Sequence, residues 1–157
     1  MTRPRKNRFV WGNPVSNFFK PAGIRLSQTE LLTLTFDEFE AIRLADMEGL
    51  YQEEAAKIMN ISRQTFGRIL QEAHRKIAEC LVQGKALKIE GGSYISAENI
   101  FNCRGCGNMW GRQPDQIPNE CPECENSDIQ AADQGGPFGR GPMRGRGRRR
   151  GGPPWQK

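Results

Sequence analysis

Histidine and long apolar runs are almost missing from this sequence. His74 is the only histidine among 157 residues, and no Ser, His and acid grouping for nucleophilic catalysis can be built around it. No glycine-rich phosphate loop follows a strand pattern. No segment is long and apolar enough to cross a membrane or to act as a signal peptide after the basic start. We therefore expect a protein that is not an enzyme and that resides in the cytoplasm.

Acidic residues are scarce at the two ends of the chain, so the net charge of +5 is unevenly spread. Residues 135–157 contain seven basic residues and no acidic one, whereas residues 9–134 carry 12 basic and 18 acidic residues, a net charge of −6. Arg3, Arg5 and Lys6 form an N-terminal arm that could neutralise phosphates or enter a minor groove. Residues 131–157, rich in Gly, Arg and Pro, predict a disordered tail. This tail serves either solubility alone or binding to RNA or DNA.

Residues 52–70, QEEAAKIMNISRQTFGRIL, have the pattern of a helix-turn-helix. The first helix is predicted at residues 52–59, although Tyr51 cannot cap it as Ser or Thr would. Asn60 suits the left-handed conformation that a tight turn requires. Ser62 is a suitable N-cap for a second helix. The residues of the first helix expected to face inward are Ala55, Ile58 and Met59.

The second helix has the clearest apolar periodicity of the chain, and Gly84 is expected to end it. Its apolar stripe comprises Phe66, Ile69, Leu70, Ala73, Ile77 and Leu81. In a helix-turn-helix the N-terminal part of this helix enters the major groove, where Arg can bind guanine and Gln can bind adenine. The residues predicted to contact DNA are Ser62, Arg63, Gln64, Thr65, Arg68 and Gln71, with Arg75 and Lys76 directed to phosphates. The alternative is a helical core whose charged face is only solvated or binds another protein.

A third helix is predicted upstream, where residues 35–38 form a capping box and apolar residues continue with helical spacing to Gly49. Together these helices predict a helix-turn-helix domain at residues 35–95, ending in a short strand within KALKIEGG. Residues 1–34 are expected to be a basic arm followed by an irregular segment. The predicted fold class is mainly α: a three-helix domain, a small four-cysteine module and a disordered basic tail.

Several segments of residues 1–95 resemble a family of uncharacterised prokaryotic proteins, domain-of-unknown-function family 134. The segments are RPRK, FKPAGI, LTFDEFEAIRLADMEGL, QEEAAKIMNISRQTFGRIL and GKALKIEGG. The resemblance implies a helix-turn-helix related to region four of sigma factors, and it implies DNA binding. Members of the family often carry Cys where this chain has Asn7, and Ser or Thr where it has Tyr51. A role of that cysteine does not transfer to this chain.

Four of the five cysteines form two C-x-x-C pairs, Cys103 with Cys106 and Cys121 with Cys124. This spacing predicts a zinc-ribbon-like module at residues 99–130 in which a structural zinc ion binds four thiolates. So short a segment would depend on metal binding for much of its folding free energy. Iron in the same sulfur site is the less favoured alternative, and a redox-active disulfide is less favoured still. The apolar residues expected around the metal are Phe101, Trp110, Ile117 and Ile129.

The fifth cysteine, Cys80, lies near the apolar stripe and is expected to be a small core residue. Taken together, the patterns predict a sequence-specific regulator of transcription that binds double-stranded DNA. An adaptor or RNA-binding protein that uses the ribbon and the tail is the alternative. A homodimer is consistent with either function, because one short helix seldom supplies enough specificity by itself.

Overall fold

The computed structural model describes residues 7–112 and 115–132. Within these ranges it contains three α-helices and eight short β-strands. In chain order they are β1 (Arg8–Val10), β2 (Phe18–Phe19), β3 (Leu31–Leu34), α1 (Phe36–Ile42), α2 (Gln52–Ile58), α3 (Arg63–Gln83), β4 (Ala86–Ile89), β5 (Tyr94–Ser96), β6 (Ile100–Cys103), β7 (Met109–Gly111) and β8 (Ile129–Ala131).

The prediction of a mainly α fold is wrong, because the eight strands pair into three sheets. One sheet has the order β2-β4-β3, and β4 runs antiparallel to β2 and parallel to β3. The strand predicted near residues 85–92 is therefore the centre of a sheet. Its partners lie in residues 9–34, which were predicted to be irregular. Strands of two to four residues are too short to show a clear alternation, and only pairing with distant residues stabilises them.

The three helices pack around one apolar core, as the sequence predicts. Its buried members are Ala41, Leu44, Ala55, Ala56, Met59, Phe66, Ile69 and Leu70. Helix α1 is shorter than expected, because it passes into a π-helical turn at Arg43–Met47 that leaves Met47 exposed. The apolar stripe of α3 is buried only as far as Ala73. Leu81, predicted to lie inside, is exposed to solvent, since it lies on a side of the helix that no element of the described residues covers.

The connection between α2 and α3 confirms the predicted turn. Asn60 adopts a φ of 56°, in the left-handed region. The Ser62 Oγ then accepts a hydrogen bond of 3.2 Å from the Thr65 N–H and caps α3. Gly84 ends the helix with a φ of 65°. The local stereochemistry of this segment was therefore readable from its residues.

Strand β1 joins the helices to the four-cysteine module. It pairs in parallel with β5, and its Phe9 N–H donates to the Met59 carbonyl at 3.0 Å. Phe9 also packs in a second apolar cluster with Ile100 and Ala132, which belong to the module. One short strand thus contacts both the end of α2 and the sheet that carries Cys103.

The module itself is a three-stranded antiparallel sheet with the order β7-β6-β8. Phe101 of β6 stacks on Trp110 of β7 with ring centroids 6.2 Å apart. Ile117, expected to shield the metal, is 78% exposed and contributes little to that shell. The helices of the described residues include none that is long and apolar enough to span a membrane.

Candidate nucleic-acid interface and metal centre

The N-terminal half of α3 presents a polar face on the side opposite the buried stripe. Arg63, Gln64, Arg68 and Gln71 are all exposed there, and we call these four residues the outer face of α3. Within the described residues, neither Arg63 nor Arg68 forms an ion pair with a carboxylate. Their guanidinium groups are therefore available to a ligand.

Ser62 and Thr65 lie at the beginning of the same helix but serve it locally. The Ser62 Oγ lies 2.8 Å from the Thr65 Oγ1 in addition to accepting from the Thr65 N–H. Ser62 is exposed and Thr65 is half-buried. Their hydroxyl groups are thus partly occupied by the cap, while Ser62 remains accessible beside the outer face.

Arg75 and Lys76, predicted to meet phosphates, are occupied by carboxylates of the same chain. Arg75 lies 2.7 Å from both Glu72 and Glu79, and these contacts raise its pKa, chiefly through the hydrogen bond to Glu72. The Lys76 Nζ lies 2.8 Å from the Glu38 carboxylate in a largely buried pair. The positive charge of α3 is therefore free near its beginning and paired further along.

Gly67 lies next to Arg68 in α3 and is half-buried, and nothing in the described residues requires a glycine there. A Cβ placed on Gly67 would meet only the Gln52 Oε1, at an ordinary contact distance of 3.5 Å. The contact also shows that the beginning of α2 lies beside this part of α3. The predicted arm residues Arg3, Arg5 and Lys6, and all but the first two residues of the predicted tail, lie outside the described residues.

The four cysteines of the module converge on one point. Their Sγ atoms all lie within 4.8 Å of one another, and two of the separations, Cys103 to Cys124 and Cys106 to Cys121, are 3.6 Å. A tetrahedral ion with sulfur bonds of 2.3 Å has sulfur–sulfur edges of about 3.8 Å. The cluster could therefore hold a metal ion with only small adjustments.

The two C-x-x-C loops are built alike. In the first, the Gly107 N–H donates to the Cys103 carbonyl and the Cys103 N–H donates to the Asn108 carbonyl, both at 2.9 Å. In the second, Glu125 and Asn126 make the corresponding bonds with Cys121, again at 2.9 Å. The residue after each pair has a positive φ, 74° at Gly107 and 56° at Glu125. This repeated turn directs the two sulfur atoms of each loop to the same side.

The thiols affect one another strongly. Burial opposes ionisation of Cys121, but the backbone N–H groups of Cys124 and Glu123, together with hydrogen bonds from the Cys106 and Cys124 thiols, outweigh it and lower its pKa to about 7. At Cys124 the Asn126 N–H favours the thiolate, but hydrogen bonds to the other three thiols, together with burial, outweigh it and raise the pKa to about 12. One thiolate therefore forms readily and further ones accumulate like charge. A central cation would remove that penalty.

Comparison with known proteins assigns the N-terminal part of this chain to a protein family. The family described as "Protein of unknown function DUF134" matches residues 1–97. The chain belongs to this family. The match includes the outer face of α3 and ends before Cys103, so the DUF134 match by itself does not cover the four-cysteine cluster.

The similarity of this DUF134 protein to individual relatives extends beyond residue 97. The "UPF0251 protein CT1277" of Chlorobaculum tepidum is 48% identical over 155 residues, which cover 96% of this chain and 78% of the relative. A "UPF0251 protein" of Moorella thermoacetica is 43% identical over 152 residues, covering 96% of this chain and 95% of the relative. Another, of Caldicellulosiruptor saccharolyticus, is 46% identical over 129 residues, covering 82% and 88%. These proteins are named without a function, and no solved structure matches the chain.

The sequence patterns did not predict the buried carboxylates of α1, which bind residues of the N-terminal segment. Glu40 is fully buried and accepts hydrogen bonds from the Trp11 and Gly12 N–H groups and from Arg43. Asp37 is also buried and pairs with Arg8. The capping box at residues 35–38 accounts for Asp37 and Glu38 as helix-start residues, and the apolar spacing of α1 assigns no role to Glu40. A signal was present, since three acids stand within four positions of an apolar helix.

Proposed function

We propose that this DUF134 protein is a sequence-specific DNA-binding regulator of transcription. In this proposal α3 enters the major groove, and Arg63, Gln64 and Arg68 contact base edges. Gln71 and Ser62 contact bases or phosphates at the margin of the same surface. The proposal includes no catalytic step and places the protein in the cytoplasm with its DNA.

One observation supports this proposal more than any other. The cationic side chains of α3 that lack a carboxylate partner in the described residues are Arg63 and Arg68, and both lie on its outer face. Arg75 and Lys76 of the same helix are paired with Glu72 and Glu38. Free guanidinium groups at the beginning of the second helix of a helix-turn-helix are suited to bidentate contacts with guanine. Arg75 and Lys76 therefore have no main role in the proposed phosphate binding.

We further propose that the metal held by Cys103, Cys106, Cys121 and Cys124 is zinc, with iron as the alternative. Four sulfur ligands with no open position suit a closed structural site. The ion would stabilise the module and take no part in catalysis. Elemental analysis of the purified full-length protein tests this: about one zinc per chain is expected, and a visible absorption band of iron–thiolate would contradict it. The double change Cys103→Ser and Cys121→Ser should abolish metal binding.

The adaptor or RNA-binding alternative has one supporting observation of its own. Phe101 and Trp110 stack on the module, and the Arg112 guanidinium lies 5.7 Å from the centroid of the Phe101 ring. Both rings are half-buried, so part of each remains accessible. Aromatic and arginine side chains together can stack with unpaired bases. Single-stranded RNA is therefore the second ligand to test.

The decisive experiment is selection of random DNA duplexes by the full-length protein, followed by affinity measurements at several salt concentrations. Arg63→Ala and Arg68→Ala should each weaken binding to the selected sequence by about 1 to 3 kcal/mol and relax the preference at particular base pairs. Arg75→Ala is the matched control, because it removes an arginine from the same helix that is already paired. It should change affinity much less and leave the preferred sequence unaltered.

Two results would count against the proposal. Enrichment of no duplex sequence at any salt concentration would exclude sequence-specific binding. Equal losses for Arg63→Ala, Arg68→Ala and Arg75→Ala, with no change in preference, would indicate only general attraction to phosphates. Binding to single-stranded RNA that is lost in Trp110→Ala would then favour the second candidate.

A further inference from the structure

A cleft lies between the end of β1, the beginning of α1 and strand β5. Its volume is about 450 Å³, which is in the range typical of sites for small molecules. Its lining includes Trp11 and Asn13 after β1, Phe36 of α1, and Tyr94, Ser96 and Glu98 of β5 and the turn that follows. We call it the aromatic cleft. Its lining shares no residue with the outer face of α3 or with the four-cysteine cluster.

Three aromatic side chains line the cleft, and each comes from a different part of the chain. Phe36 and Tyr94 lie with their ring centroids 4.8 Å apart and their planes 33° from parallel. Trp11 packs edge-on against Phe9 with centroids 6.3 Å apart, and its Nε1 donates to the Ile58 carbonyl at 3.1 Å. All three lining side chains are half-buried, so packing holds each ring while part of its surface stays accessible. Aromatic rings held in this way attract cations through their π systems.

The charge of the lining is negative. Glu98 is the only lining residue that is charged at neutral pH, and it is exposed. Its Oε1 accepts a hydrogen bond of 3.1 Å from the Ser96 Oγ, and it forms no ion pair with a basic side chain of the described residues. Behind the segment after β1, Arg43 is shared by two acids, Glu40 and Glu48, so that set is negative as well. No positive charge there offsets Glu98.

The lining disfavours three other classes of ligand. An anion would meet the Glu98 carboxylate and no basic side chain. A Ca²⁺ or Mg²⁺ ion needs about six oxygen ligands, whereas the cleft offers one carboxylate. A neutral apolar molecule would contact the rings but would leave the carboxylate unused. An ammonium ion with apolar substituents uses both the rings and the carboxylate.

We propose that the aromatic cleft binds a small organic cation, an ammonium ion whose nitrogen carries apolar groups. The cation lies against the rings of Trp11 and Tyr94, with the Glu98 carboxylate at the rim. Asn13 is exposed at the same cleft and can bind a polar group elsewhere on the ligand. Because the Trp11 Nε1 bonds to Ile58, the last residue of α2, such a ligand contacts a side chain that also holds the end of that helix.

NMR titration of the full-length protein without DNA tests this proposal separately from the proposed function. The probes are tetramethylammonium chloride and choline chloride, each exchanged against sodium chloride at constant ionic strength. The Trp11 Nε1–H and Tyr94 N–H resonances should shift saturably, with dissociation constants in the millimolar range because the probes have few atoms. tert-Butyl alcohol resembles tetramethylammonium in size but is uncharged, and it should bind at least roughly fivefold more weakly.

Two variants and a matched control locate the site. Glu98→Gln should weaken the binding of both cations roughly two- to fivefold, and Tyr94→Leu should weaken it by a similar factor or more. Glu98 is exposed, so its replacement should leave the circular dichroism unchanged. Glu120→Gln is the control, because Glu120 is another exposed acid with no ion pair in the part of the chain that the structure describes, and it does not line the cleft. This variant should bind like the wild-type protein.

Several outcomes would overturn the proposal. Without a saturable shift for either cation, the cleft does not bind this class of ligand. Equally strong binding of tert-butyl alcohol would reveal an apolar site that ignores charge. If Glu98→Gln has no effect, or weakens binding no more than Glu120→Gln does, the cation is not held at the cleft. Where Tyr94→Leu fails to fold, the comparison of Glu98→Gln with Glu120→Gln decides alone.

Discussion

At the scale of single residues, Tyr51 and Glu125 occupy backbone positions for which their side chains are poorly suited. Tyr51 precedes α2 with an extended backbone and provides no side-chain cap, and it is 83% exposed. Glu125 has a φ of 56°, a conformation that costs residues with a Cβ roughly 1 to 2 kcal/mol. Neither residue is compensated by burial, so each offers a simple test of the local structure.

We predict that Tyr51→Ser increases the free energy of unfolding by about 0.5 to 2 kcal/mol. A serine at this position could accept from the Glu54 N–H, and Glu54 could bond back to the serine N–H to complete a capping box. Urea denaturation followed by circular dichroism measures the change. Tyr51→Ala, which cannot cap, should give no such gain, and an equal gain from both changes would contradict the capping explanation.

We predict that Glu125→Gly raises the stability of the metal-loaded module by about 1 kcal/mol, because glycine adopts a positive φ without a Cβ penalty. Gly107 holds the same place in the first loop with a φ of 74°. The reciprocal change Gly107→Ala should therefore lower stability. Thermal denaturation in the presence of the bound metal compares the two, and shifts of the same sign would refute the equivalence of the loops.

At the scale of elements, a set of hydrogen bonds to the Glu40 carboxylate binds the segment after β1 to α1. The Glu40 carboxylate accepts from the Trp11 N–H at 3.1 Å and the Gly12 N–H at 3.0 Å. Arg43 donates to the same carboxylate at 2.8 and 2.9 Å, which raises the pKa of its guanidinium. A fully buried carboxylate is tolerated only because all of these donors meet it.

We predict that Glu40→Ala lowers the free energy of unfolding by about 3 to 5 kcal/mol, since it leaves the half-buried Arg43 guanidinium and two half-buried N–H groups without the buried carboxylate that accepts from them. Glu48→Ala is the control. Glu48 also contacts Arg43, at 3.1 Å, but its side chain is 44% exposed, so the expected loss is below about 1 kcal/mol. Chemical denaturation distinguishes them, and similar losses from both would argue against the role given to Glu40.

The elements also show which structural features local sequence patterns predict and which they do not. The boundaries of α3, the left-handed turn at Asn60 and the cap at Ser62 follow from local stereochemistry, and the structure confirms them. Strands β1, β2 and β3 escaped detection because no local pattern distinguishes so few residues from a loop. Their pairing with β4 and β5, more than 50 residues away, supplies the missing hydrogen bonds.

At the scale of the whole molecule, β1 connects the four-cysteine module to the three helices. Phe9 packs on Ile100 of the module, while its N–H donates to Met59 at the end of α2. The Trp11 Nε1 donates to the Ile58 carbonyl at 3.1 Å in the same region. Loss of order in the module would therefore remove the apolar support from one side of β1.

We predict that removing the metal with a chelator loosens β1 as well as the module. Metal binding supplies on the order of 10 kcal/mol to small sites of this kind, so the apo module should lose much of its sheet. Hydrogen exchange should accelerate at the Phe9 N–H and throughout β6. Backbone N–H groups in the buried part of α3, at Phe66 and Ile69, serve as the internal control and should stay protected. Unchanged exchange at Phe9 would show that the helices and β5 hold β1 without the module.

The sequence by itself determined the features that depend on neighbouring residues: the three helices, the turn between α2 and α3, the family, and the two C-x-x-C loops. Helical periodicity, capping and the preferences of Asn and Gly act over a few positions, so they can be read from the chain directly. Only the tertiary structure decided which charges are free and which are paired, how β1 bridges the two parts, and where the stripe of α3 ceases to be buried. Those outcomes depend on contacts between residues far apart in sequence, such as Glu38 with Lys76 and Phe9 with Ile100, and no local pattern encodes them.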